Sequence, residues 1–277
     1  MTLSIKKQID FYFEFKDWYF KIIKDFNFDY QKDCEARNYL SDILNRKSYQ
    51  WNLDNVLNRF NKLIKTKNEI VIYGCGPSLQ KSIRYILKKR GTKIFHNWLN
   101  FAADGAAVLL REKGLPIDGI FSDLDGITAQ EFIYAKFNIV HAHGDNIEKL
   151  KLFEKDILNF KDVIGTTQVE PLENLINPGG FTDGDRILFF LKSFVLPYQR
   201  LYLIGMDFEN KVGKYSKPFI KKDIKASIIK SKKLRYAKEL IEWLIINFDK
   251  EIFLVNSDSE SPFFKKLSLE SFLKIVN

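Results

Sequence analysis

Cysteine is nearly absent from this sequence: Cys34 and Cys75 stand far apart and in no CxxC pattern. That scarcity excludes a disulfide framework and a thiolate zinc site, and it suits a reducing compartment. Long hydrophobic runs are missing as well. The stretch ILFFLKSFVL is broken by lysine, well short of the ~20 residues a membrane-spanning helix needs. The amino terminus, MTLSIKKQIDFYFEFKDWYF, has charges inside its apolar stretch and no small-residue cleavage site, so it does not read as a secretory signal. A soluble, cytoplasmic protein with no membrane partner is expected. Glycine is absent before Gly74, so the first quarter of the chain lacks the sharp turns from which active sites are usually built.

What is present describes a globular protein. The 277 residues are 45% hydrophobic and 29% charged, which argues against disorder and allows one large domain or one with a smaller helical addition. The net charge of +9 favours anionic partners such as nucleotides. The lysines are scattered along helix-like stretches, where a solvated face is the ordinary reading, so charge alone identifies no partner. Nucleic acid is disfavoured, because the aromatics follow apolar periodicities instead of interleaving with Lys and Arg on a recognisable strand.

Two textures divide the chain. In residues 1–65, Phe11, Phe15, Trp18, Ile22 and Phe26 recur at helical spacing, followed by a looser stripe of Trp51, Val56, Phe60 and Ile64. This segment is expected to be a helical cap on a main domain of residues 66–277. From position 69, β-rich runs (69–73, 119–122, 138–143, 162–167, 200–205 and 251–256) alternate with helical patterns near 78–90, 128–136, 147–158, 184–195 and 223–248. Such alternation predicts an α/β fold: a mainly parallel sheet with helices on both faces. Ligands of such sheets bind beyond the carboxyl ends of the strands. The segment 93–106 (KIFHNWLNFAADGA) is richer in aromatic and polar residues than a smooth strand would be.

The motifs that follow the β-rich runs carry the chemistry. Gly74-Cys75-Gly76-Pro77-Ser78-Leu79 joins the first run to a helix. Its glycines permit a tight turn near a phosphate, and the helix start offers free N–H groups. It lacks the third glycine of a dinucleotide fingerprint and the Gly-Lys-Ser/Thr of a Walker loop, so a plain strand-to-helix turn is an equal reading. Acidic turns come next: Asp104-Gly105, Asp123-Leu124-Asp125-Gly126, Gly144-Asp145-Asn146, Asp183-Gly184-Asp185-Arg186 and Asp207. Taken singly, each is more often a structural turn than a site. Together they converge on one crevice, and carboxylates gathered there repel one another unless a cation intervenes. Hard oxygen donors point to Mg²⁺, completed by substrate phosphates.

Asp123 and Asp125 form the best metal pair, with Leu124 turned into the core. Asp145 is expected either as a third ligand or as the base for a hydroxyl proton. Of His141 and His143, one is expected to face the crevice and the other to pack; without a third soft ligand they make a weak zinc alternative. Thr182 or Asp183 caps the next helix, and Arg186 in its first turn either clamps a phosphate or pairs with an aspartate.

GCGPSL (74–79), AADGA (102–106), SDLDG (122–126), HAHGDN (141–146), GGFTDGDR (179–186) and GMDF (205–208) occur in this order. In this the chain resembles the archaeal 6-hydroxymethyl-7,8-dihydropterin pyrophosphokinases of the MptE type, over about residues 69–256. The resemblance implies a thiamine-pyrophosphokinase-like, Rossmann-like fold. It implies Mg²⁺-dependent transfer of diphosphate from ATP to a reduced pterin, with release of AMP. With it, Asp123, Asp125 and Asp145 are expected at the metal and in catalysis. Gly74, Gly76, Pro77, Ser78, Asp104, Asn146, Thr182, Asp183, Asp185 and Arg186 are expected at the nucleotide. Phe181 and Asn146 are candidates for holding the pterin. The alternative is a nucleotide-sugar glycosyltransferase of the related motility-associated family, some sialyltransferases sharing the GxGPSL loop; the acidic motifs favour phosphoryl chemistry. A homo-oligomer is compatible with this reading, and the oligomeric state is left open.

Overall fold

The computed structural model describes residues 4–248 and 250–276; the ends of the two expected regions, residues 1–3 and 277, lie outside them, as does 249. Four helices come first: α1 (Ile5–Ile9), α2 (Tyr12–Phe26), α3 (Tyr30–Asn45) and α4 (Leu53–Ile64). Their limits follow from local chemistry. Asn27 ends α2 in the left-handed region at φ 53°, Asp29 caps α3 by accepting from Gln31 N–H, and Asn52 caps α4 in the same way.

The remainder alternates: β1 (Glu69–Tyr73), α5 (Ser78–Arg90), β2 (Leu99–Ala103), α6 (Ala106–Glu112), β3 (Gly119–Ser122), α7 (Ala129–Tyr134), β4 (Phe137–Ala142), α8 (Ile147–Leu152), α9 (Glu154–Asn159), β5 (Val163–Thr167), α10 (Asp183–Leu191) and β6 (Arg200–Ile204). After them come the short strands β7 (Lys211–Val212) and β8 (Ile224–Lys225), then α11 (Ile228–Asn247), β9 (Ile252–Val255), β10 (Lys265–Leu267) and α12 (Leu269–Ile275). Eight strands form one parallel sheet in the order β10-β9-β6-β1-β2-β3-β4-β5, while β7 and β8 pair separately as an antiparallel ribbon. The chain builds outward from β1 to β5, then returns to lay β6 on the other side of β1. That reversal opens a crevice between the ends of β1 and β6.

The expected alternation of side chains is visible in β1. Val71 and Tyr73 enter one core while Ile70 and Ile72 enter the other. The first core is completed by α3, α5, α6, α7, α8, α9 and α12, the second by α1, α2, α4, α10 and α11. The amino-terminal helices thus contribute to both layers: α3 lies over β4 and β5, and α4 meets β5 from the opposite face. Phe60 of α4 sits within 5.0–5.6 Å of the rings of Phe101, Phe137, Phe190 and Phe194. At the outer edge of β5, Ile176 bridges to Thr166, its N–H bonding Gly165 O and its carbonyl accepting from Thr167 N–H. No helix among the described residues is long and apolar enough to cross a membrane.

Beyond the strands read from the sequence, the segment 93–106 holds a 3₁₀ turn (Lys93–Asn97) followed by β2. The polar residue that obscured β2 is Asn100, which is fully buried. Its Oδ1 accepts from Tyr73 Oη at 2.9 Å and Trp98 Nε1 at 2.6 Å, and its Nδ2 donates to the carbonyls of Phe95 and Trp98. A buried amide with every group engaged is compatible with a central strand.

Lys192, the residue that ends α10, gives the fold a titratable weak point. Its Nζ is buried without a hydrogen-bond partner among the described residues, 2.8 Å from the centroid of Phe11 and 5.4 Å from that of Phe189. Burial pushes its pKa down to about 7, against the pull of Glu14. The aromatic faces favour the ammonium form and offset part of that burial penalty. Because the unfolded side chain titrates near ~10.4, unfolding takes up a proton between these values. Stability should therefore rise from neutral pH towards ~10. Lys192→Met should flatten that rise and stabilise the protein by about 1–2 kcal/mol at neutral pH, as read from thermal midpoints across pH. A variant whose stability retains the wild-type pH slope would show that Lys192 is not the group responsible.

Candidate active site

The turns after β1, β2, β3, β4 and β6 open into a cleft of ≈ 640 Å³, completed by the start of α10 and by residues of α3 and α11. Its far wall at β1 and β6 is built from backbone approaching backbone. Gly74 N–H donates to Ile204 O at 2.8 Å and Gly76 N–H to Gly205 O at 2.7 Å. A Cβ on either glycine would lie 2.6 Å from Gly205 O, so packing between the two turns already requires glycine at both positions. Asp207 accepts from Ser78 N–H at 2.8 Å, using one of the N–H groups that a phosphate would otherwise meet. Gly74 and Gly76 line the cleft; Pro77 and Ser78, expected at the nucleotide, are not among its lining residues.

At the centre, Asp104, Asp123 and Asp125 each present a carboxylate oxygen within 4.8 Å of the others. Asp104 occupies the turn after β2 at φ 45° and accepts from Ser122 Oγ at 2.7 Å and Gly126 N–H at 3.0 Å. Leu124, at φ 71°, is buried between the two other carboxylates and turns its side chain into the first core. Asp123 is half-buried, not exposed, with His143 Nε2 3.2 Å from its Oδ2. Asp145 N–H approaches His143 Nδ1 at 3.3 Å, so the arrangement suits an imidazole protonated at Nε2.

The cluster carries mutually repelling charge. Burial raises the pKa of Asp104 well above the usual range, with Asp183 and Asp123 adding to the effect. Asp125 is raised by burial and by Asp123. Burial opposes ionisation of Asp123 too, but the hydrogen bond and charge of His143 outweigh it and keep its pKa below the ordinary range. A cation is already in place: Lys217 forms an ion pair with Asp125 and lies 4.0 Å from Asp104. Burial acts to lower the Lys217 pKa, but the three aspartates overcome it and hold the amine charged. Three hard carboxylate donors at this spacing suit a divalent cation of the Mg²⁺ type.

The GGFTDGDR turn forms another side of the cleft. Thr182 caps α10 in a reciprocal box with Asp185, whose carboxylate also accepts from Phe181 N–H at 2.6 Å. Asp185 is fully buried and holds the loop together. Arg186, also buried, donates to Phe181 O at 3.0 Å and to Asp183 Oδ1 at 3.3 Å. Burial and nearby Asp123 push Asp183 up to about 7 despite that arginine. Lys217, Lys230 and Lys233 line the cleft as well.

The remaining sequence candidates divide by what they touch. Asp145 is exposed on the cleft wall and stands outside the group of three carboxylates, whose third member is Asp104. Asn146 is buried: its Nδ2 donates to His141 O and Asp123 O, and its Oδ1 accepts from His143 N–H. It clamps the β3 and β4 turns together. His143 faces the cleft, whereas His141 is buried against Thr166 and burial pushes its pKa well down.

Residues that the sequence reading missed come from the glycine-free amino-terminal segment. Asn27, Phe28, Asp29, Lys32 and Asp33 all line the cleft. Lys217 was likewise missed, since nothing local distinguishes it from other lysines of a basic chain.

Residues 45–213 match the model of a family described as 6-hydroxymethylpterin diphosphokinase MptE-like. A Methanocaldococcus jannaschii protein named 6-hydroxymethyl-7,8-dihydropterin pyrophosphokinase is 40% identical over 244 residues, covering 83% of this chain and 95% of that one. A Pyrococcus furiosus protein of the same name is 37% identical over 236 residues, covering 83% and 93%. One from Methanothermobacter thermautotrophicus is 35% identical over 240 residues, covering 85% and 95%. Among solved structures, the Maf glycosyltransferase of Magnetospirillum magneticum aligns with 74% of this chain and 34% of its own, at 15% identity and a TM-score of 0.43. That likeness is too slight to bear on fold or function.

Proposed function

Since this chain belongs to the MptE-like family of 6-hydroxymethylpterin diphosphokinases, we propose that it transfers the β,γ-diphosphate of ATP to the hydroxymethyl group of 6-hydroxymethyl-7,8-dihydropterin and releases AMP. The observation that supports this most directly is the grouping of Asp104, Asp123 and Asp125 in a cleft also lined by Arg186, Lys217, Lys230 and Lys233. Carboxylates for a metal beside cations for phosphates are what diphosphate transfer requires.

In this reading Asp104, Asp123 and Asp125 would hold Mg²⁺, which would supply neutralisation of charge on the phosphate oxygens. Arg186 and the cleft lysines take the charge that the metal leaves uncompensated, and Lys217 gives up Asp125 for a phosphate oxygen. The acceptor oxygen forms a bond to the β-phosphorus while the bond to the oxygen bridging the α- and β-phosphorus breaks. AMP departs with that bridging oxygen. Asp145, exposed on the cleft wall, accepts the alcohol proton. Gly74 and Gly76 let the nucleotide approach the β1 turn, and Arg186 fixes the orientation of the transferred group.

Chromatography of the nucleotides after incubation with ATP, Mg²⁺ and the dihydropterin tests the reaction. AMP equal in amount to a diphosphorylated pterin is the expected result. ADP in its place would make the protein an ordinary kinase. Intact ATP alongside turnover of a nucleotide sugar would move the assignment to glycosyl transfer.

A further inference from the structure

None of the motifs that carry the family resemblance reaches the amino-terminal helices, yet α2 and α3 close one side of the cleft. Asp33 of α3 is buried and lines it. Its Oδ1 accepts from Gly144 N–H at 2.7 Å, in the turn that carries His143 and Asp145. Its Oδ2 accepts from Tyr19 Oη and from Gln168 Nε2, both at 2.7 Å. One helix carboxylate therefore ties together α2, the β4 turn and the end of β5. The packing is close: a Cβ on Gly144 would lie 2.6 Å from Lys32 Cβ. Just before α3, the left-handed turn at Asn27 brings Phe28 to the cleft wall, half-buried and 6.5 Å from the ring of Phe181.

The sheet order sets the distances. The glycine turns follow β6 and β1, the three carboxylates follow β2 and β3, and the Asp33 turn follows β4. At the usual strand spacing, β4 lies about 14 Å from β1. The carboxylates stand between two ends of one cleft, as a metal must stand between a polyphosphate and the alcohol that attacks it. If the nucleotide occupies the glycine end, the opposite end is left for the acceptor. That end offers an aromatic side chain and a buried acceptor group. A carboxylate oxygen has two lone pairs; Gly144 N–H uses one on Oδ1, and no second hydrogen bond to that oxygen is made among the described residues.

We propose that the α2–α3 turn forms the acceptor subsite, with the flat, N–H-bearing heterocycle lying against Phe28 and its donor edge directed to Asp33. This rests on the diphosphokinase reading above. It makes the amino-terminal helices the determinant of which alcohol is used, separate from the machinery that handles ATP.

The test measures KM for 6-hydroxymethyl-7,8-dihydropterin and for ATP separately, with equilibrium binding of the pterin to the full chain, for wild type, Asp33→Asn and Phe28→Leu. Both variants should raise the pterin KM and Kd about 10-fold or more, the loss of one charge-assisted hydrogen bond or one ring contact, while the KM for ATP moves less than about 2-fold. Should Asp33→Asn fail to fold, Phe28→Leu alone decides, since a half-buried loop side chain is dispensable for folding. An ATP KM that rises with, or instead of, the pterin KM would overturn the assignment, as would variants indistinguishable from wild type. A wild-type protein inert towards the pterin would remove both this subsite and the function on which it rests, and so is told apart from failure of the subsite alone.

Discussion

Asp123→Asn is expected to lower kcat about 10²–10³-fold, the loss typical of one preorganised electrostatic group at a transition state. Folding should survive. An asparagine Oδ1 can still accept from Asp125 N–H, the contact that shapes the turn at 3.3 Å, although its Nδ2 then replaces the oxygen that faces His143 Nε2. Removing one charge also relieves its repulsion with Asp104 and Asp125. Without metal, that relief is set against loss of the His143 contact that favours the charged form, so the variant should fold but be no more stable than wild type in thermal melts. Added Mg²⁺ should stabilise wild type to a degree set by its affinity, and that gain should largely vanish in the variant. Rate measurements with thermal melts with and without Mg²⁺ check both statements. Wild-type kinetics in the variant would remove Asp123 from the metal site.

Arg186→Met should be more damaging, because it acts on stability and chemistry together. The guanidinium is buried and offsets Asp183, whose pKa reaches about 7 even in its presence. Removing it should cost about 3–5 kcal/mol, the usual penalty for orphaning one partner of a buried pair. Activity should fall by at least ~10³-fold if the arginine stabilises the transferred phosphoryl groups. Arg186→Lys separates the two effects: it restores a cation near Asp183 but lacks the planar fork. It should therefore recover more stability than activity. Denaturant midpoints set beside initial rates make the comparison, and an active Arg186→Met would show that the arginine serves the loop alone.

The parallel sheet was legible because β1, β3, β4, β5, β6 and β9 are short apolar runs separated by helical periods, a pattern that local physics alone produces. β2 was not legible, since Trp98 and Asn100 satisfy each other's polar groups only once folded. Its invisibility also concealed part of the site. With β2 in place, Asp104 stands just past a strand end, as Asp123 does, and the three carboxylates become a group. The Asp-Leu-Asp turn could be read directly, because two acids flanking a leucine must turn opposite ways from it when the leucine is buried. Asp33 and Lys217 carried no such mark. The first meets its partner Gly144 across 111 positions of chain, and the second faces Asp125 from the segment between β7 and β8. Their positions are set by tertiary packing, which no local spacing encodes.

The Ile176 bridge beside β5 bears on how copies of this chain can meet. An unpaired edge strand invites a neighbouring molecule to extend the sheet. Here the outward N–H of Thr167 and the outward carbonyl of Gly165 are already bonded to Ile176, and the opposite edge ends in β10, only three residues long. Among the described residues, neither margin of the eight-stranded sheet offers a long run of free backbone on which a second sheet could grow. Growth of the eight-stranded sheet from one copy to the next is therefore disfavoured at both margins, which leaves helical, loop and ribbon surfaces as the places where copies can join.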